Sequence, residues 1–365
     1  MKLSAKPDFD QARVAWNHYW AREAWKRPLL VAQVPRKNAP PPPGPYDNYF
    51  EHVSNHFGNI RQRIDWMLEA TQYLAESIPY YDCSLGPDQF AAWMGKGVFH
   101  FSKDSKSTNW VEPFVHDWRD AFPLTIADKN PAWLQMQELH RQVAAICSGR
   151  CLVGMGDLHS NADALSSLRG PQNLCMDFYD CPDLVGEAMR QVQTLYKPVY
   201  ETLYQTGGMS TATGTIGWIP FWCEKRFATI QCDFICLVSP EIARRFIIPA
   251  LAEEAEFLDH CIYHLDGPGT LPHLDDILSI QAIDAIQWVS GDGQPPMYTW
   301  LDVLKKCQAA GKGLQIYGVN FDQIKLLTQE LKPEGIVYCA NVASEQELDT
   351  IASWLEKNAG VSRWV

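Results

Sequence analysis

The stretch CIYHLDGP, residues 261–268, has the pattern of a buried strand that ends in a turn. Alternate residues of a pleated strand share a face, so His264 and Asp266 are expected to point the same way at the C-terminal end of this strand. An imidazole and a carboxylate presented together favour a metal-binding or catalytic pair. The alternative is a histidine satisfied by its neighbours at a strand end, and this stretch by itself leaves both open.

Seven further short apolar runs resemble this strand, and most of them precede a helical pattern. The predicted strands cover residues 29–34, 78–85, 151–157, 208–216, 261–266, 285–289, 314–319 and 336–340. Such strand and helix steps predict an α/β fold, a closed (β/α)8 TIM barrel formed by a single domain over residues 1–365. An N-terminal helical extension over residues 8–25 precedes the barrel, and residues 97–118 have the pattern of an inserted hairpin.

The segments between the strands make further predictions about local structure. Apolar spacing predicts one long helix over about residues 49–77, whereas residues 218–233 are predicted to form a long loop after the fourth strand. Gly170 and Gly207 are expected to end their helices in a left-handed conformation, because a glycine commonly occupies that position.

Composition and charge exclude several classes of protein. A formal net charge of −12 and the lack of a basic run argue against nucleic-acid binding, which needs clustered lysine and arginine. The chain has no uninterrupted apolar stretch long enough to span a membrane. Its 11 cysteines form no Cys-x-x-Cys pair, and residues 1–7 lack the apolar core of a secretion signal, so reduced thiols and a cytoplasmic location are expected.

In barrels of this kind, functional residues lie on the loops that follow the C-terminal ends of the strands. Candidate functional residues at these positions are Arg36, Asp82, Asp157, His159, Trp218, Glu224, Arg226, Asp233, His264, Asp266, Trp288, Tyr317 and Cys339. Arg36 and Arg226 are the candidates for holding a substrate carboxylate, with surface ion pairing as the alternative. Trp218, Trp288, Tyr317 and Asp233 are the further candidates for substrate binding, with rim packing or a solvated loop acid as the alternative.

One part of the sequence resembles the uroporphyrinogen decarboxylase superfamily. The resemblance consists of Ser-Pro-Glu at residues 239–241, followed by Phe246 and Pro249, and then the strand that ends His264-x-Asp266-Gly. It is closest to the methyltransferase-like branch, whose members transfer methyl groups between corrinoid proteins and thiols. The N-terminal signature of the decarboxylase itself is absent, so a divergent relative is expected.

The resemblance also implies a zinc site. The corresponding strand of that branch reads His-x-Cys-Gly, and a cysteine near the last strand completes the site. His264 matches the histidine, Asp266 stands in place of the first cysteine, and Cys339 falls where the second is expected. Glu224 or a water would be the fourth ligand. A carboxylate in place of a thiolate leaves a harder, more Lewis-acidic metal, suited to polarising an oxygen at least as well as to activating a thiol.

Three functional hypotheses follow. The first is a metal-dependent methyl or one-carbon transferase that uses Zn²⁺, a small-molecule substrate and a corrinoid partner protein or small thiol, with His264, Asp266 and Asp157 as catalytic residues. The second is a cofactor-independent decarboxylase in which Arg36 binds a carboxylate and Asp82, Asp157 or Asp266 protonates or stabilises the carbanion. The third is a barrel that binds a small ligand or tetrapyrrole without catalysis. The sequence leaves the substrate, the metal and the oligomeric state open.

Overall fold

In the computed structural model, which describes residues 2–102 and 107–364, parallel strands alternate with helices as the sequence predicts. The strands are β1 Leu29–Pro35, β2 Thr71–Ala75, β3 Tyr80–Asp82, β4 His100–Phe101, β5 Asn109–Trp110, β6 Leu152–Met155, β7 Thr215–Gly217, β8 Trp222–Cys223, β9 Phe227–Gln231, β10 His260–Asp266, β11 Ala285–Val289, β12 Gly313–Val319 and β13 Ile336–Ala340. Each predicted strand overlaps an observed one. The fourth is displaced, because only its last two predicted residues belong to β7.

Helices of very different lengths connect these strands. They are α1 Phe9–Trp20, α2 Asn48–Val53, α3 Phe57–Ala70, α4 Gln89–Met94, α5 Trp118–Ala121, α6 Pro131–Cys147, α7 Asn161–Arg169, α8 Pro171–Asp180, α9 Pro182–Thr206, α10 Pro240–Ile242, α11 Ile248–Phe257, α12 Leu274–Ser279, α13 Leu301–Ala309, α14 Phe321–Glu330 and α15 Glu345–Asn358. A π-helical turn, Ala243–Ile247, joins α10 to α11, and short 3-10 helices cover Asp233–Leu237, Pro268–His273 and Met297–Thr299.

Hydrogen bonds join the strands into two main sheets. The larger has the order β2-β1-β13-β12-β11-β10-β9, and the smaller has the order β3-β6-β7-β8. Neighbouring strands are parallel except in the pairs β1–β2 and β7–β8. The chain therefore has a mixed α/β fold with a large parallel sheet. Because no strand ladder connects the two sheets within the described ranges, hydrogen bonding alone does not close a barrel.

The predicted helix over residues 49–77 is wrong in its second half. Residues 71–75 form β2, which pairs antiparallel with β1 from Val31↔Ala75 to Pro35↔Thr71. Because no glycine or proline separates α3 from β2, the sequence carries no stop signal at this point. Pairing with the edge of β1 determines the conformation of this segment instead.

The predicted loop over residues 218–233 is wrong for the same kind of reason. Residues 227–231 are fully buried and form β9, the parallel neighbour of β10, with Gln231 opposite His264. A strand here places Arg226 at the amino end of the sheet and Asp233 at its carboxyl end. This division separates candidates that the sequence analysis had grouped on one loop.

The N-terminal extension forms as predicted, although α1 ends at Trp20. Its buried face includes Trp16 and Trp20, whose indole nitrogens donate to the carbonyl oxygens of Glu76 (2.9 Å) and Trp222 (2.7 Å). These bonds join α1 to segments of both sheets, so the helix fixes the sheets relative to each other on the side away from Asp233.

Other local predictions have mixed outcomes. Gly170 has a φ of +87°, as predicted, whereas Gly207 is right-handed and the left-handed residue is Gly208 at +65°. Strands β4 and β5 pair antiparallel within the predicted hairpin, of which residues 103–106 lie outside the described part of the chain. No described helix combines the length and apolar character needed to cross a bilayer.

Candidate active site

The carboxyl ends of β9 and β10 bring together two acids and a histidine. Asp233 follows β9, and His264 and Asp266 lie at the end of β10. One ligand atom from each of these three residues lies within 4.8 Å of the others. A zinc ion bound at about 2.0–2.2 Å needs ligand atoms about 4 Å apart or less, so modest side-chain movement converts this arrangement into a coordination site. The predicted pairing of His264 with Asp266 is therefore present in the structure.

A neighbouring strand orients the His264 ring. Nδ1 of His264 donates to Oε1 of Gln287, which lies opposite it on β11, at 2.5 Å. This bond assigns the proton to Nδ1 and leaves the lone pair of Nε2 available for a metal or a proton. The ring of Trp218 packs edge-on against His264, with the centroids 5.0 Å apart, and forms an apolar wall beside it.

Two glutamines separate His264 from Cys339. Nε2 of Gln287 donates to Oε1 of Gln315 at 2.5 Å, and Nε2 of Gln315 contacts Sγ of Cys339 at 3.3 Å. Burial raises the pKa of Cys339 to about 12, so this residue is a neutral thiol at neutral pH. The structure therefore connects Cys339 to His264 through hydrogen bonds and does not group it with the three site residues.

A second cluster adjoins the first and shares Asp233 with it. Ligand atoms of His159, Asp163 and Asp233 lie within 4.8 Å of one another. Nε2 of His159 is 2.8 Å from Oδ2 of Asp157, and Nδ1 is 3.7 Å from Oδ2 of Asp163. Burial lowers the pKa of His159, but Asp157, Asp163 and Asp233 outweigh it and raise this pKa to about 10. The three carboxylates therefore favour a positive charge at this position.

Buried hydrogen bonds fix the loop that carries Asp233. The Asp163 carboxylate accepts from the backbone nitrogens of Asp233 (3.0 Å) and Phe234 (2.8 Å). Asn161, in a left-handed conformation with a φ of +50°, donates to the carbonyl oxygen of Gln231 at 3.0 Å. Below these residues, Glu254 is buried and accepts from Ser160 (2.6 Å), Asn161 and Gln193. The network fixes the end of β9, and therefore the position of Asp233.

The charge of this region is not compensated by lysine or arginine side chains. In the described part of the chain, no lysine or arginine forms an ion pair with Asp82, Asp157, Asp163, Asp233 or Asp266. Burial and repulsion from Asp157 raise the pKa of Asp82 to about 7. Burial and repulsion from Asp163 raise the pKa of Asp233 to about 7, although His159 opposes the shift. Such a cluster favours a cation, because a cation stabilises the ionised carboxylates.

The structure places several predicted site residues elsewhere. Arg226 lies at the amino end of β9, where its Nε donates to Asp259 at 3.0 Å, because residues 227–231 form a strand. Glu224 accepts from Asn17 of α1 at 3.0 Å. Trp288 packs in the core against Trp300, since the alternate residue Gln287 takes the face shared with His264.

The remaining predicted substrate residues differ in their positions. Arg36 is exposed and lines a surface cavity next to β2 and α15, away from the cluster. Tyr317 is close enough to Asp266 for the carboxylate to add to the effect of burial in raising its pKa. Trp218, Asp233 and Tyr317 are therefore the predicted substrate residues that the fold brings to His264.

Sequence reasoning missed two kinds of residue in this site. Asp163 was not predicted, because it lies in the first turn of α7 whereas His159 precedes that helix, so no regular spacing links the two side chains. Gln231, Gln287 and Gln315 were also missed, because a glutamine in a strand carries no pattern that separates it from an ordinary polar residue.

Comparisons with known proteins show the fold and nothing more specific. No protein-family model matches the sequence, and no curated protein matches it. The structure is similar to a methyltransferase from Methanosarcina mazei, with a TM-score of 0.56 and 11% sequence identity, over 95% of this chain and 98% of that chain. At this identity the likeness establishes a shared methyltransferase-like fold over nearly the full length of both chains.

Proposed function

We propose that the protein is a metal-dependent methyl or one-carbon transferase, in which Asp233, His264 and Asp266 bind Zn²⁺ or a similar divalent cation. The observation that carries this proposal is the approach of their ligand atoms to within 4.8 Å, at the carboxyl ends of adjacent parallel strands. The fold shared with a methyltransferase supports the class of reaction. In this proposal Asp233 takes the ligand position that the sequence analysis gave to Cys339 or Glu224.

The proposal includes the closed (β/α)8 barrel of the uroporphyrinogen decarboxylase-like superfamily, as one domain acting in the cytoplasm. One observation supports closure beyond the parallel order of the sheets. A Cβ atom on Gly217 of β7 would lie 3.2 Å from the ring of Phe227 on β9, so β7 of the smaller sheet packs against β9, the edge strand of the larger sheet.

The side chains around the cluster suit transfer of a methyl group to a thiol. When bound, a divalent cation supplies Lewis acidity that favours the ionised form of a coordinated thiol or hydroxyl. The Trp218 ring covers one side of His264 and excludes water there. Asp82, with a pKa raised to about 7, has the proton affinity needed to accept the proton that the nucleophile loses at neutral pH. A methylated corrinoid carried by a partner protein and a small thiol are the proposed reactants.

A cofactor-independent decarboxylase is the second candidate. The raised pKa of Asp82 favours it, because a partly protonated carboxyl group at neutral pH can protonate a carbanion. Two observations oppose it. Arg36, the cation expected to bind the substrate carboxylate, is exposed away from the cluster, and the uncompensated aspartates repel an anionic substrate. A non-catalytic binding barrel lacks any comparable supporting feature.

The test is methyl transfer from methylcobalamin to a panel of small thiols, followed by mass spectrometry of the thioether. We expect turnover with the zinc-loaded protein and with a His260→Gln variant, but neither with a chelated sample nor with His264→Gln. Release of carbon dioxide from carboxylated substrates by chelated protein, without any thioether formation by the zinc-loaded protein, would overturn the proposal in favour of the decarboxylase.

A further inference from the structure

We propose that Asp233 bridges two divalent cations, so that a second cation position, formed by His159, Asp163 and Asp233, lies beside the first. This inference rests on the proposed function, because the first position is the one that Asp233, His264 and Asp266 form. It goes beyond that function in assigning His159 and Asp163 as metal ligands and in doubling the expected metal content.

The geometry of Asp233 is the first argument. Its carboxylate belongs to both groups of ligand atoms, and within each group the atoms lie within 4.8 Å of one another. A carboxylate has two oxygens, and a carboxylate shared between two metal ions is suited to the separation of about 3.5–4 Å found in two-metal sites. The other ligands approach from different segments: His159 from the loop before α7, Asp163 from the first turn of α7, and His264 and Asp266 from β10.

A buried amide oxygen without a hydrogen-bond partner is the second, independent argument. Gln231 is only 4% exposed, and its side-chain nitrogen contacts His159 Nε2 and lies 3.5 Å from Oδ2 of Asp233. Its Oε1 is buried and has no hydrogen-bond partner among the described residues. Oδ1 of Asp157 is also buried and has no such partner. An unpaired buried oxygen costs free energy that a bound cation or its water would recover.

Charge is the third argument. Four aspartates surround the two positions, namely Asp157, Asp163, Asp233 and Asp266, and the described chain supplies no lysine or arginine to pair with them. When all four are ionised, one divalent cation leaves two negative charges uncompensated, and a second leaves none. The His159 ring lies between two of these carboxylates, with Nε2 2.8 Å from Asp157 and Nδ1 3.7 Å from Asp163.

The donor atoms indicate the class of cation. Carboxylate, amide and imidazole donors suit Zn²⁺ or Mn²⁺, and the set contains no thiolate that would select a softer metal. Asp157 would then serve His159 in one of two ways. It would accept a hydrogen bond from the ring nitrogen that does not bind the metal, or it would itself complete the coordination of the second cation.

Metal content and magnetic coupling test this inference. Purified protein is stripped with chelator, dialysed against Zn²⁺ or Mn²⁺, and analysed for bound metal in the wild type and in the variants His159→Gln, His264→Gln and His260→Gln. We expect two equivalents in the wild type and in His260→Gln, and one in His159→Gln. The electron paramagnetic resonance spectrum of the Mn²⁺-loaded wild type is expected to show two coupled ions, whereas that of His159→Gln is expected to show isolated ions.

The outcomes separate this inference from the proposed function. One equivalent in the wild type, unchanged in His159→Gln but lost in His264→Gln, would overturn the second position and leave the first intact. No bound metal in the wild type would overturn both. If His159→Gln does not fold, the Mn²⁺ spectrum of the wild type decides alone, because uncoupled ions contradict a shared carboxylate.

Discussion

Strand β10 carries a histidine at each end, and the two histidines have opposite surroundings. His260 begins the strand, lies 3.1 Å from Asp284 and stacks on Trp20 with the ring centroids 4.5 Å apart. His264 lies about 13 Å further along the strand. Asp284 also has Arg22 within 3.9 Å, but no lysine or arginine in the described chain forms an ion pair with Asp233 or Asp266 next to His264.

The difference shows what distinguishes a structural histidine from a candidate ligand. At the amino end each carboxylate has a cation, as Asp259 has Arg226 at 3.0 Å, so the charges are already balanced within the protein. At the carboxyl end the carboxylates retain coordinating oxygens and a net negative charge. Residue type alone does not separate the two ends of the strand, whereas local charge balance does.

The largest expected effect is the loss of metal binding in His264→Gln. Removing a ligand from a set of three should weaken Zn²⁺ binding at the first position by at least about 100-fold, more than removal of a residue that only orients a ligand. The matched control is His260→Gln on the same strand, for which affinity should stay within a few-fold of the wild type. Competition with a chromophoric chelator measures both. Equal losses in the two variants would mean that the ends of β10 do not differ in the way described.

A smaller effect is expected from the glutamine that orients His264. Replacing Gln287 by Leu removes the acceptor for Nδ1 of His264, so Zn²⁺ affinity should fall by about 10- to 100-fold. Gln315→Leu, one hydrogen bond further away, should have a weaker effect, and Cys339→Ser should have almost none. A loss in Cys339→Ser as large as that in His264→Gln would identify Cys339 as a ligand after all.

Carboxylates near the two ends of β10 should also change the free energy of unfolding with pH in opposite directions. Burial raises the pKa of Glu254 to about 7 from its ordinary 4.5, so the folded protein holds this proton longer than the unfolded chain. Stability of the metal-free protein should therefore fall as the pH rises from about 4.5 to 7. Burial would raise the pKa of Asp259, but its hydrogen bonds and ion pair with Arg226 outweigh burial and lower this pKa. The stabilisation that Asp259 contributes is therefore lost as the pH falls through the acid range.

Glu254→Gln isolates the contribution of the carboxyl end. Because the amide does not ionise, the fall in the free energy of unfolding between pH 4.5 and 7 should lessen by on the order of 2 kcal/mol. Urea unfolding of the metal-free wild type and variant at several pH values measures the change. An unaltered slope in the variant would mean that Glu254 does not hold its proton in the folded protein.

The smallest expected effect is that of Arg226→Ala at the amino end. The ion pair with Asp259 is partly exposed, so its loss should cost about 0–1 kcal/mol of stability. Zn²⁺ affinity and KM should not change, since the residue lies at the opposite end of β9 from Asp233. A large increase in KM would return Arg226 to the role in substrate binding that the sequence predicts for it.

The sequence predicts the strand framework better than it predicts the membership of the site. Seven of the apolar runs locate their strands closely, because short buried strands between helices have a distinct pattern. Strands β2, β8 and β9 were missed, since pairing with a neighbour, and not a local signal, determines them. The missed β9 also explains why Arg226 and Glu224 were grouped with Asp233.

The candidate site shows the same limit. The two-residue spacing of His264 and Asp266 is a local feature, and the sequence predicts their common orientation. The approach of Asp233 and Asp163 depends on how α7 and the end of β9 pack, which a linear pattern does not encode. The hydrogen-bonded glutamines that separate Cys339 from His264 belong to different strands, so only the folded sheet reveals them.

The most direct test of the account is anomalous scattering from crystals of the chelator-stripped protein reloaded with Zn²⁺, recorded on both sides of the zinc absorption edge. The account predicts a zinc peak at about 2.0–2.2 Å from His264 and from carboxylate oxygens of Asp233 and Asp266. A zinc peak bound instead to Cys339 or to the His260 and Asp284 pair, or the lack of any peak in loaded crystals, would contradict it.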